Sequence, residues 1–173
     1  MAKYRWIRIA KYATYSVVLL LLFLIQSAPG LFDIGGIRPM LIVPYVIAIS
    51  VFEGEVTGGT YALVGGLLCD FTSTMLLGVN AFIFFIFAII TGLLSRYLLR
   101  PTIVNGWFFS AVTAIVRAAV EYYLMYSMWG YEYAPMVFWR KLFPVAIYTI
   151  VIAPILFYIV RFVYLKFSRL LKI

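Results

Sequence analysis

Apolar runs of membrane-spanning length follow one another along this chain, with only short polar breaks between them. Tyr12 to Ile25 is one and Ala81 to Leu94 another; the stretches Gly106–Ser127 and Leu142–Tyr164 are longer still. A chain of 173 residues that is 66% hydrophobic and 12% charged cannot hide that much apolar surface in an aqueous fold, so its solvent is a bilayer. In lipid every backbone polar group must find its partner inside the protein, and runs of this length do so as helices. The expectation is an all-α polytopic membrane protein, a single domain over residues 1–173. Six transmembrane helices are expected, near 12–28, 38–52, 54–70, 79–95, 106–127 and 142–164.

The charged residues orient these spans. A net charge of +8 would suggest nucleic acid in a soluble chain; here the basic residues flank apolar runs, so anionic headgroups explain them and no nucleic acid is expected. Six spans put Lys3, Arg5, Arg8, Lys11, Arg96, Arg100, Arg161, Lys166, Arg169 and Lys172 on the inner side and only Arg38, Arg140 and Lys141 on the outer side, with both termini inside. Fusing the second and third spans would strand Glu53 and Glu55 in lipid. The basic start and first apolar run also fit a cleaved signal peptide, but the run is long and Pro29 follows the candidate cleavage site at Ala28, so a retained helix is preferred.

Local signals refine the picture. Pro39 is expected in the first turn of the second span, with Pro44 kinking it. Pro144 and Pro154 are expected to kink the sixth. Glu53 and Glu55 read as a solvated helix start, and Asn80 as the N-cap of the fourth span. Trp129, Tyr131, Tyr133 and Trp139 in an outer loop suit the headgroup level.

The third span carries the informative small residues. Gly54, Gly58, Ala62, Gly66 and Asp70 recur every fourth position, which places them on one ridge with a carboxylate at its end. Such a ridge serves close helix approach, either within the chain or as a docking face for another membrane protein. Arg117, near the middle of the fifth span, must face protein or water, and Glu121 four residues on shares its face. The pair reads as a packing ion pair, a polar ligand cavity or a partner contact.

Catalysis finds no footing. With no histidine there is no Ser/His or Cys/His arrangement and no imidazole metal site, and Cys69 is the single cysteine. Asp70 and Glu121 would be the one carboxylate pair, with Arg117 as counter-ion. The double glycines at 58–59 and 65–66 lack the Lys-Ser/Thr of a phosphate loop. A non-enzymatic protein without cofactor or metal is expected.

Several short motifs carry a resemblance. Gly-Ile-Arg-Pro-Met-Leu-Ile from Gly36, Glu-Gly-x-x-x-Gly from Glu53, Gly-Gly-Leu-Leu-Cys-Asp ending at Asp70 and Leu-Gly-Val-Asn-Ala from Leu77 resemble the MreD family of rod shape-determining proteins. Arg38, Pro39, Gly78 and Asn80 are the motif positions. Met40 stands where that family is often acidic, and the chain after Arg100 matches in pattern more than in residues. The resemblance implies a fold similar to the S-components of energy-coupling-factor vitamin transporters. It also implies a non-enzymatic subunit of the cell elongation complex in the bacterial inner membrane. The implied partners are MreC, a single-span protein, and through it MreB, RodA and a class B penicillin-binding protein; a homo-oligomer is compatible too. The functional alternative is a vitamin-binding S-component itself.

Overall fold

In the computed structural model, which describes residues 2–28, 30, 35–73, 76–99, 102–128, 130 and 134–171, the described residues form helices joined by short connections and no strand. They are α1 (Ala2–Ser27), α2 (Ile42–Glu53), α3 (Glu55–Thr72), α4 (Val79–Tyr97), α5 (Ile103–Tyr122), α6 (Ala134–Val137) and α7 (Phe143–Leu171). Pro29, Asp33, Thr74, Arg100, Pro101, Trp129, Tyr131, Tyr133 and Lys172, used in the sequence reading, lie outside the described residues.

The shortest of the long helices is the one the others surround. α2 touches α1, α3, α4, α5 and α7. Every residue from Ile42 to Val51 is buried. The sequence permits this: α2 is apolar on all sides, and a helix without a polar face can sit in a protein core as well as in lipid. Its exceptions are satisfied locally, Ser50 Oγ donating to the Val46 carbonyl at 3.0 Å and Tyr45 Oη to the Tyr15 carbonyl at 2.9 Å. Twelve residues make a helix of about 18 Å, short of a bilayer core.

Four segments are long and apolar enough to cross a membrane: Arg5–Ser27, Val79–Tyr97, Ile103–Ser127 and Pro135–Leu170. Their outward faces carry large apolar side chains such as Leu24, Phe82, Ile115 and Ile155, as a lipid-facing surface requires. α3 is 18 residues long but spends them on glycines and hydroxyls, and α2 is too short.

Three proline and loop expectations are corrected. α2 begins at Ile42, not at residue 38, so Pro44 lies in its first turn, where a missing N–H costs nothing, and it marks the helix start instead of a kink. Pro39 precedes the helix and is buried. Trp139, Arg140 and Lys141, assigned to an outer loop and its end, are helical: a π-turn over Phe138–Leu142 joins α6 to α7. Pro144, which cannot donate to a carbonyl one turn back, sits just after that widened turn, and a second π-turn, Tyr123–Ser127, ends α5. Pro154 lies inside α7.

The chain reverses between α2 and α3 at Gly54, whose φ of 91° falls in the left-handed region that favours glycine. The acids beside it do not form a solvated start. Glu53 ends α2 in a buried ion pair, Lys11 Nζ lying 2.6 Å from its Oε1. Glu55 opens α3 and pairs with Arg96 of α4 at 2.8 Å. Since the Arg96 side chain is 61% exposed, Arg96→Gln is expected to lower stability by less than about 1 kcal/mol, read from thermal unfolding of the detergent-solubilised chain.

Candidate functional site

The ridge on α3 is filled by the chain itself. Ala62 is fully buried. A Cβ added at Gly58 would meet the backbone and side chain of Ser50 on α2, and one at Gly66 would stand 2.6 Å from the Ala81 amide nitrogen on α4. Gly92 of α4 completes the fit from the other side, where a Cβ would lie 2.6 Å from the Glu55 nitrogen. Among the ridge glycines, Gly54 alone has open space around its missing Cβ. The small residues thus let α3 pack closely against α2 and α4. Of the two readings of the ridge, this geometry describes the one within the chain.

Asp70 closes the ridge and begins a polar network. Its carboxylate, nearly buried, accepts from the backbone amides of Gly78 (3.0 Å), Asn80 (3.1 Å) and Ala81 (3.2 Å) and from the Asn80 side-chain amide (2.9 Å). Those amides are the orphan donors at the start of α4, so α3 supplies the cap for the helix that follows it. The expected N-cap, Asn80, instead lies inside the first turn, because the cap position falls on Gly78 with its φ of 98°. This accounts for two motifs at once. Gly66 admits the backbone at Ala81, Gly78 turns the chain, and Asp70 binds the amides between and beside them.

Asn80 passes the network on. Its side-chain oxygen accepts from Arg117 Nε at 2.9 Å, and Arg117 Nη1 contacts Glu121 Oε2 at 2.8 Å. The expected Arg117–Glu121 pair is present, with both side chains largely buried (9% and 14% exposed). Asn80 as a bridge between Asp70 and Arg117 was not legible in advance, since the residues lie 10 and 37 positions apart from it. Gln26 was also missed. It takes the Ile42 amide at 3.3 Å and donates to Cys69 Sγ at 3.7 Å, tying the end of α1 to α2 and α3. An amide at the end of so apolar a run was the signal available.

The network borders a cavity of about 340 Å³ at this end of the bundle, lined by the end of α1, residues 38–40, the end of α3, α5 and the π-turn before α7. Of the motif residues, Arg38 and Pro39 line this cavity, Arg38 as an exposed side chain and Pro39 as a buried one. At the opposite end a second cluster joins three helices. Glu53 accepts from Lys11 Nζ and, at 2.9 Å, from Tyr15 Oη, while the Lys11 ammonium sits 5.1 Å from the centre of the Tyr164 ring. Between the two ends, α1 and α3 form an open apolar groove of about 500 Å³. Its floor is Tyr61, which donates to the Tyr12 carbonyl at 2.8 Å and lies 3.2 Å from Ser16 Oγ.

Among the described residues this arrangement supports helix packing, and it sets no nucleophile beside a base. A family model described as rod shape-determining protein MreD matches residues 7–167. No curated protein and no solved structure matches the chain.

Proposed function

Because the chain belongs to the MreD family of rod shape-determining proteins, we propose that it is a non-enzymatic subunit of the cell elongation complex that holds an MreC-like single-span protein and so helps to regulate peptidoglycan synthesis. The family match carries this reading, since it covers nearly the whole chain. The proposal includes six spans in one domain, both termini on the cytoplasmic side of the inner membrane, and an S-component-like arrangement of helices. MreB, RodA and a class B penicillin-binding protein are reached through the partner.

The docking surface within this proposal is the α1–α3 groove. The ridge of Gly58, Ala62, Gly66 and Asp70 serves it from behind, fixing α3 against α2 and α4 so that its other face looks outward. That face offers Val56, Thr60 and Val64 at helical spacing, opposite Tyr12, Ser16 and Leu20 of α1. Small and hydroxyl-bearing residues between two helices suit a third helix in lipid, where close packing and side-chain hydrogen bonds drive association.

Bulk at Gly58 or Gly66 would strike the chain's own backbone and report on folding. Bulk in the groove reports on docking. Thr60→Trp is therefore expected to lower recovery of a co-expressed MreC-like protein in mild detergent about tenfold, equal to about 1.4 kcal/mol, with the variant itself still folded. Unchanged recovery would remove the groove from the proposal. Recovery of ATPase subunits with a membrane coupling protein, in place of the single-span partner, would overturn the scaffold reading in favour of vitamin transport.

A further inference from the structure

We infer that the ends of α1 and α7 that run on past the rest of the bundle together form a binding site for anionic phospholipid headgroups. The inference is independent of the scaffold reading. At the Glu53 end, α2 stops at Glu53 and α3 starts at Glu55, level with Arg96 near the end of α4. α5 starts at Ile103, one turn before Gly106, whose missing Cβ faces the Phe157 ring of α7. α1 and α7 touch, and the Lys11 ammonium over the Tyr164 ring marks where they meet at this end. Gln26 and Thr149 bind the Ile42 and Met40 amides at the far end, so the two helices run antiparallel. From the Lys11–Tyr164 contact, α1 extends back to Ala2 and α7 on to Leu171, about 13 Å and about 10 Å of helix.

Four cations stand on these extensions in two tiers. Arg8 and Lys166 lie about 4 Å and about 3 Å beyond the contact along their helices, Arg5 and Arg169 about 9 Å and about 8 Å. All four are exposed. The acids of this end are spent elsewhere, Glu53 on Lys11 and Glu55 on Arg96. Residues 1–11, 97–107 and 161–173 contain no Asp or Glu. Asp70 and Glu121 belong to the network at the far end. Asp33 and Glu132, which lie outside the described residues, leave the chain at that far end too. Asp33 comes six residues after Ser27, a reach of about 21 Å, whereas Arg8 is about 28 Å from Ser27 along α1. Glu132 comes two residues before Ala134, which helix separates from Lys166 by about 45 Å. No acid of the sequence can therefore neutralise the four cations.

The apolar side chains between the cations name the occupant. Trp6 is 71% exposed and Leu170 56%, with Ile9 and Leu165 also open. An acidic protein bound from water would leave such residues in water. At the headgroup layer they insert beside the acyl chains, and Trp settles there for its amphipathic ring. Arginine and lysine suit the phosphoryl oxygens just above, the first as a planar fork and the second as a point charge. General orientation by positive charge needs only that cations flank the spans; here two helices from opposite ends of the chain bring four of them to one place.

The test is native mass spectrometry of the purified full chain in mild detergent with equal amounts of phosphatidylglycerol or phosphatidylcholine. The wild type should retain phosphatidylglycerol at least fivefold better than phosphatidylcholine. Arg8→Gln and Lys166→Gln should each weaken phosphatidylglycerol binding about fivefold, and the double variant further. Arg8→Lys should retain it. Arg140→Gln, which removes one exposed charge at the opposite end, should leave it unchanged. Equal retention of the two lipids, binding that survives in the double variant, or an equal loss in Arg140→Gln would overturn the inference. Binding of a hexaglutamate peptide that the same variants abolish, without preference between the lipids, would assign the surface to an acidic protein instead. The substituted side chains lie outside the packed bundle, and unchanged phosphatidylcholine retention confirms that each variant is folded.

Discussion

Asp70→Ala is expected to cost roughly 3–5 kcal/mol of stability, enough to leave little folded chain after extraction into detergent. The substitution strands three backbone amides and the Asn80 side-chain amide in a buried site. It also loosens the residue that holds Arg117 Nε, so a buried cation loses support in the same step. In a bilayer no water replaces these partners. Asp70→Asn retains one acceptor oxygen and should fall between the wild type and alanine. Thermal unfolding of the three chains orders them, and hydrogen exchange locates the damage: the amides of Gly78, Asn80 and Ala81 should lose protection first. Equal unfolding temperatures for all three would show that α4 does not depend on this cap.

Lys11→Met should have an effect of similar size at the other end of the bundle, roughly 3–5 kcal/mol. It leaves Glu53, whose side chain is 8% exposed, with Tyr15 as its described hydrogen-bond donor. The cost is mainly that of an abandoned charge, so removing both charges should be milder. Lys11→Met/Glu53→Leu is expected to recover most of the loss, because an apolar pair needs no compensation where an ion pair did. A double variant as unstable as the single one would mean that the attraction itself, together with the Lys11–Tyr164 contact, carries the stability. The unfolding temperatures of the wild type, both singles and the double close this cycle.

What the sequence disclosed, and what it withheld, follows from distance along the chain. The ridge was legible because its period is local: four residues separate each member from the next. The Arg117–Glu121 pair was legible for the same reason. Family likeness locates Gly78 and Asn80 without disclosing their roles, a helix cap position and a bridge from Asp70 to Arg117. Asn80 opens an apolar run and so fits a cap by local rules, whereas the cap comes from Asp70 on the helix before, a choice no local rule contains. Lys11 and Glu53 lie 42 positions apart and each had a sufficient separate explanation, one as a cytoplasmic charge and the other as a helix start. Pro39 and Pro44 both fit a first turn. The structure assigns that role to Pro44, as the preceding residues 38–40 are not helical. Apolar length discloses that a helix exists but not that it is central: nothing in the α2 sequence distinguishes a buried helix from one bathed in lipid.

That ambiguity in α2 bears on how the protein is made. A helix with no polar stripe fits against acyl chains as it does against other helices, so α2 can wait in lipid, at the modest cost of its short length, while later segments are synthesised. Its neighbours arrive in sequence, α3 and α4 directly after it, α5 later and α7 last. Until α7 is in place, one flank of the central helix remains solvated by lipid, and the core is finished only when the final span displaces that lipid. The uniform apolarity that hid the position of α2 in the sequence is thus what lets the centre of the protein be laid down early and enclosed late.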